Sequence, residues 1–151
     1  MIDTYWGNYF GTWTPDSATL IEYLATKTPK IELHEIFHEL GLEALTGNYT
    51  DAELDATIAG VRYHFTDAFH VILDLSILLA QSNTTGLDLA SVGKQSAEIV
   101  IVPSSKESTQ ITQALKYFTL MPEAYRFSES LSEEDVQVLE DLVEEVRLKL
   151  D

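Results

Sequence analysis

The segment Thr66–Gln81 constrains this chain more than any other. Phe69, Ile72, Leu73, Leu75, Ile77, Leu78 and Leu79 fall on most sides of a 3.6-residue helix, leaving little polar face to turn towards water. Such a helix is stable only when other elements surround it. It is not a transmembrane span, because Asp74 and Ser76 interrupt the apolar stretch Val71–Ala80. Asn83-Thr84-Thr85-Gly86 supplies its stop. The remaining chain must therefore form a shell around one central helix. With 151 residues, 45% of them hydrophobic, there is material for one domain over 1–151. A chain of this size buries ~70% of its unfolded surface, enough to fold without covalent staples. There are no cysteines, which removes disulfides and thiolate metal sites together. No basic segment followed by an apolar run opens the chain, so the expected compartment is the cytoplasm.

The shell can be read in pieces. Thr14-Pro15 opens a helix with Leu20, Ile21 and Leu24 on one face, and Thr28-Pro29 ends it. A second helix is predicted over Ile31–Leu40 from Leu33, Ile36, Phe37 and Leu40, with Gly41 as its stop. Leu42–Ala59 is ambiguous, with extended structure expected near Ala56–Val61. Glu98–Pro103 is short and β-branched, the pattern of a buried strand. Ser104-Ser105 opens a helix through about Phe118, which Met121-Pro122 breaks. The last helix starts at Ser132, carries Glu133 and Glu134 in its first turn and Arg147 and Lys149 in its last, and turns Val136, Leu139, Val143, Val146 and Leu150 inward. Helices outweigh strands, so the expected class is α+β: a small β-sheet packed with several helices.

Charge narrows the partners. Twenty-five acids against nine bases give −16, and residues 128–151 alone hold nine acids against two bases. A field of this sign repels phosphate, so nucleic acid and anionic membrane are disfavoured and a basic protein or a cation is favoured.

One pattern suggests chemistry. His34-Glu35-Ile36-Phe37-His38 matches H-E-x-x-H, in which two histidines on one helical face bind zinc and the glutamate serves as base to the bound water. The competing reading is an exposed acidic helix face. Ala44 stands where a longer zinc-protease signature wants a third histidine, and no glutamate ligand follows at the usual spacing. His64 and His70 are the remaining histidines that a third ligand would have to come from. There is no cysteine nucleophile, no Gly-x-Ser-x-Gly and no phosphate-binding glycine loop. The expectation is therefore a non-enzyme without catalytic residues, metal or cofactor, and a zinc-dependent hydrolase through His34, Glu35 and His38 is the alternative. Asp51, Glu53 and Asp55 suit either a hard cation or a solvated turn, and lack the glycine and terminal glutamate of an EF-hand. Tyr5, Trp6, Tyr9, Phe10 and Trp13 are either the core of a sheet or the anchors of an interface.

Tyr5-Trp6-Gly7-Asn8-Tyr9, Asp16-Ser17, Glu22-Tyr23-Leu24 and Glu35-Ile36-Phe37 with Leu40-Gly41-Leu42 resemble the opening of immunity proteins from bacterial polymorphic-toxin and contact-dependent growth-inhibition systems. The resemblance extends through the apolar helix to Met121-Pro122-Glu123-Ala124-Tyr125. It implies a small cytoplasmic inhibitor that binds a cognate toxin C-terminal domain, in many cases a basic nuclease, and covers its active site or an exosite. In such a family the two histidines are not catalytic. The resemblance transfers no site residues one by one. The contacts expected on physical grounds are the aromatics Tyr5, Trp6 and Trp13, the acids Asp51, Glu53 and Asp55, and Glu133 and Glu134 of the last helix.

Overall fold

The computed structural model describes residues 19–20, 22–24, 26–27, 30–45, 49–82, 87–88 and 98–150. The aromatic opening and the first turn of the first expected helix lie outside the described residues. Residues 19–20 and 22–24 are helical, with Leu20, Tyr23 and Leu24 fully buried.

The fold is α+β, as the sequence predicts. In chain order the principal elements are β1 (Lys30–Glu32), α1 (Leu33–Leu40), β2 (Leu54–Ile58), β3 (Val61–Phe65), α2 (Ala68–Ser82), β4 (Leu87–Asp88), β5 (Glu98–Val102), α3 (Ser105–Leu120) and α4 (Glu133–Leu150). Short 3-10 turns at Leu42–Leu45, Pro122–Ala124 and Arg126–Ser130 join them. The strands form two units. In one, β5 lies between β1, which it pairs in parallel, and β4, which it pairs antiparallel. In the other, β2 and β3 form an antiparallel hairpin.

Helix α2 is the centre expected of it. From Ala68 to Leu79 every residue but His70 is buried, Asp74 and Ser76 included. It packs against α3, α4 and β5. Its start is set by Asp67, whose carboxylate accepts from the Phe69 amide at 2.9 Å, while the Ala68 amide reaches the Ala52 carbonyl at 2.8 Å. Ser76 turns its hydroxyl onto the Leu73 carbonyl at 2.6 Å, so the hydroxyl is satisfied without leaving the helix. Phe69 is the hub of an aromatic cluster. Its ring stacks on Phe118 of α3 at 5.1 Å and meets Tyr125 at 4.7 Å, and Phe118 and Tyr125 touch edge to face at 5.2 Å.

One expectation is corrected and another refined. The second helix does not begin at Ile31: residues 30–32 form β1, and the helix starts at Leu33. Ile31 stands opposite Ile101 in the parallel ladder, and pairing with a strand far along the chain overrides the local helical period. The downstream half of that helix is as expected, with Leu33, Ile36, Phe37 and Leu40 buried and Gly41 left-handed at φ +83°. The extended structure expected near Ala56–Val61 is present but is interrupted by a turn. It straddles a hairpin in which Ile58 faces Val61 across the two-residue turn Ala59-Gly60. Both turn residues have positive φ, +52° and +82°, the type I′ geometry that matches strand twist. Gly60 takes it freely, whereas Ala59 pays about 1 kcal/mol.

The later helices follow their caps. The Ser132 hydroxyl accepts from the Asp135 amide at 3.1 Å at the start of α4. Leu139, Val143 and Val146 are buried as expected, joined by Leu142, while Val136 and Leu150 are half-buried. Ser104 stands at the start of α3, but its hydroxyl donates to the Glu107 carboxylate instead of capping the backbone. Among the described residues no helix is long and apolar enough to cross a membrane.

Candidate functional site

The paired histidines carry the one chemical motif of the sequence. Burial of Leu33, Ile36, Phe37 and Leu40 leaves His34, Glu35 and His38 on the outer side of α1. The His34 side chain is 58% exposed and that of His38 74%, so both rings stand open to solvent. Each ring has its own acid. His34 Nε2 lies 3.3 Å from Glu32, and His38 Nδ1 lies 2.6 Å from Glu43. Glu43 holds the His38 imidazole above its ordinary pKa by hydrogen bond and charge, which favours imidazolium, the form that cannot bind a metal. Glu35 is 3.7 Å from Lys27. His64 stands on β3 opposite Asp55, and His70 lies in α2. Among the described residues no three histidine, aspartate or glutamate side chains are grouped to hold a metal ion.

The inner edge of α1 is tied to the preceding helical residues. The buried Tyr23 hydroxyl donates to Glu39 Oε1 at 2.5 Å. Lys27 Nζ sits 2.9 Å from the same oxygen and 3.1 Å from Oε2. Burial alone would raise the Glu39 pKa, but the hydrogen bonds from Tyr23 and Lys27 and the Lys27 charge outweigh it and hold the carboxyl below its usual range.

Asp51, Glu53 and Asp55 share one side of the hairpin and its approach, because alternate residues of an extended chain face the same way. The structure also brings bases to them. Asp55 takes Arg62 through two hydrogen bonds, 2.8 Å from Nε and 2.5 Å from Nη2, and this pairing holds the Asp55 carboxyl below its usual range. His64 lies 3.9 Å from both Glu53 and Asp55. Arg126 reaches Asp51 at 3.0 Å and Glu53 at 3.8 Å, and donates to the Thr66 carbonyl at 2.7 Å. Its own amide donates to the Thr50 carbonyl at 2.9 Å. The sequence reading missed Arg126. The signal available was a base isolated in an acidic region directly after a proline-broken helix end.

Glu133 and Glu134 are exposed at the start of α4. Glu133 stands on the lip of an open cleft of about 420 Å³ between α4 and the segment that follows α3. Pro122, Leu131 and Val136 give it an apolar lining, and Glu123 and Glu140 add carboxylates to Glu133. Among the described residues none of these carboxylates has an ion-pair partner, in contrast to the hairpin acids. Tyr5, Trp6 and Trp13 lie outside the described residues.

Comparison with known families puts this chain in the class of immunity proteins of toxin systems. It belongs to the family Immunity protein 68, whose model matches residues 1–150. No curated protein and no solved structure matches it.

Proposed function

We propose that this immunity protein neutralises its cognate toxin by binding, with an acidic surface set against a basic toxin domain, and catalyses nothing itself. Family membership supplies the toxin partner, and the charge of −16 is the observation that carries the electrostatic reading. A domain that handles nucleic acid needs a basic cleft to hold phosphate, so a nuclease is the toxin class that this field complements. Cover of the active site, or of an exosite beside it, then suffices for protection. The encounter takes place in the cytoplasm of the producing cell. Candidate contacts are Tyr5, Trp6 and Trp13, the hairpin acids Asp51, Glu53 and Asp55, and Glu133 and Glu134.

The test is calorimetry and stopped-flow association with the toxin domain encoded beside this gene. Binding is expected at or below about micromolar Kd, with an association rate that falls steeply as salt shortens the Debye length below ~10 Å. Absence of binding at low salt refutes the reading. A rate indifferent to salt refutes its electrostatic part and leaves an apolar interface.

A further inference from the structure

The acids of this protein are not equivalent. Those on the hairpin are already answered by Arg62 and Arg126, which dampens the field they present to a partner. Among the described residues those around the cleft beside α4 have no such partner, and they sit in the segment 128–151, where nine acids stand against two bases, or next to it. The cleft is also concave and lined by Pro122, Leu131 and Val136, so it offers an apolar surface directly beside negative charge. Immediately before Pro122, which lines the cleft, the chain exposes two large apolar side chains, Leu120 at 66% and Met121 at 42%. Exposed Leu and Met beside a groove are the signature of a surface that another protein covers.

The cleft wall is preformed. Tyr125 is buried against Phe69 and Phe118 and donates to the Ala114 carbonyl at 3.3 Å. The Ser128 hydroxyl closes on the Tyr125 carbonyl at 2.7 Å, and the Leu131 amide donates to the Ser128 carbonyl at 3.1 Å. A partner would therefore meet a fixed shape and lose little free energy in ordering it.

We propose that this cleft receives an arginine-bearing segment of the toxin. The guanidinium lies among Glu123, Glu133 and Glu140, its aliphatic stem lies on Leu131 and Val136, and an apolar neighbour covers Leu120 and Met121. Arginine suits the site better than lysine because its planar fork pairs carboxylates two at a time and its stem packs on apolar surface. The proposal rests on the toxin-binding reading and deepens it by naming the surface and the chemistry of the contact.

Two measurements separate the proposal from that reading. In the first, the full chain carrying E123Q, E133Q and E140Q together is titrated with the cognate toxin domain, beside a control carrying D51N, E53Q and D55N. Circular dichroism checks that both are folded. The cleft variant is expected to bind about 30-fold more weakly and with a shallower salt dependence, and the hairpin variant within about 3-fold of wild type. A cleft variant within about 3-fold of a tightly binding wild type overturns the proposal and leaves the toxin-binding reading standing. In the second, an arginine-containing tripeptide with blocked termini is titrated into isotope-labelled protein without toxin. Saturable amide shifts confined to residues 120–140, lost in the cleft variant, support the site. Shifts absent there overturn it, even if the toxin itself proves not to bind.

Discussion

The hydrogen bond between Tyr23 and Glu39 ties the helical residues before β1 to α1. Tyr23 is fully buried, and burial first, then the hydrogen bond to Glu39, pushes its hydroxyl pKa up, so it remains a protonated donor at any working pH. Tyr23→Phe deletes that donor and leaves the ring in place. A hydrogen bond to a charged acceptor contributes ~1.5–3 kcal/mol where the acceptor is left without alternatives. Here Glu39 keeps Lys27 at 2.9 Å, and its side chain is 22% exposed to water. The expected loss is therefore at the low end, ~1.5 kcal/mol, or about 4 °C in Tm for a chain of this size. The pH dependence follows from the sign of the shift. The folded Glu39 carboxyl lies below its ordinary value of 4.5, so its stabilisation is complete above that value and drains away as pH falls through the depressed one. Urea unfolding of wild type, Tyr23→Phe, Glu39→Gln and the double variant gives the coupling, read from midpoints at unchanged m. It should be ~1 kcal/mol at about pH 7 and shrink towards about pH 2. A coupling below ~0.3 kcal/mol at about pH 7, or one that is the same at both pH values, refutes the reasoning.

Phe118→Ala should cost ~4 kcal/mol in urea unfolding, because a fully buried ring that stacks on Phe69 and meets Tyr125 edge to face is removed; a loss under ~1.5 kcal/mol would mean that the cluster does not hold α2, α3 and the cleft wall together. Gly60→Ala should destabilise by about 1 kcal/mol through backbone conformation alone, since the added Cβ meets nothing within 4 Å, and an unchanged midpoint would refute the left-handed turn. The His38 imidazole should titrate above an ordinary histidine by proton NMR, and Glu43→Gln should return it towards 6.5; its contribution to stability is present at low pH and fades as pH rises through the raised value. Zinc should leave the Tm unchanged, and stoichiometric zinc lost on His34→Ala would revive the hydrolase reading.

What was legible in the sequence was what local physics controls. The apolar circumference of Thr66–Gln81 demanded a central helix, and α2 is buried from Ala68 to Leu79 except at His70. Ser132 marked the start of α4 because capping is a contact between near neighbours. The H-E-x-x-H pattern was legible as a pattern but not as a surface. Only the burial of Leu33, Ile36, Phe37 and Leu40 turned His34 and His38 towards water. The extended character near Ala56–Val61 was legible but the turn inside it was not, because Ala59-Gly60 carries an alanine in place of the usual Asn of Asn-Gly.

By itself the sequence determined the central helix, the α+β class, the excess of negative charge and the resemblance to toxin immunity proteins. Those properties reside in composition, in helical period or in short motifs. The tertiary structure decided that residues 30–32 are a strand, because their partner is β5. It also decided which acids are answered and which are open. Arg126, beside the Tyr125 that packs on Phe69, meets Asp51 and Glu53, while Glu123, Glu133 and Glu140 are gathered around one apolar cleft. Charge can be counted along a chain, but the field it makes depends on distances that only the folded molecule sets.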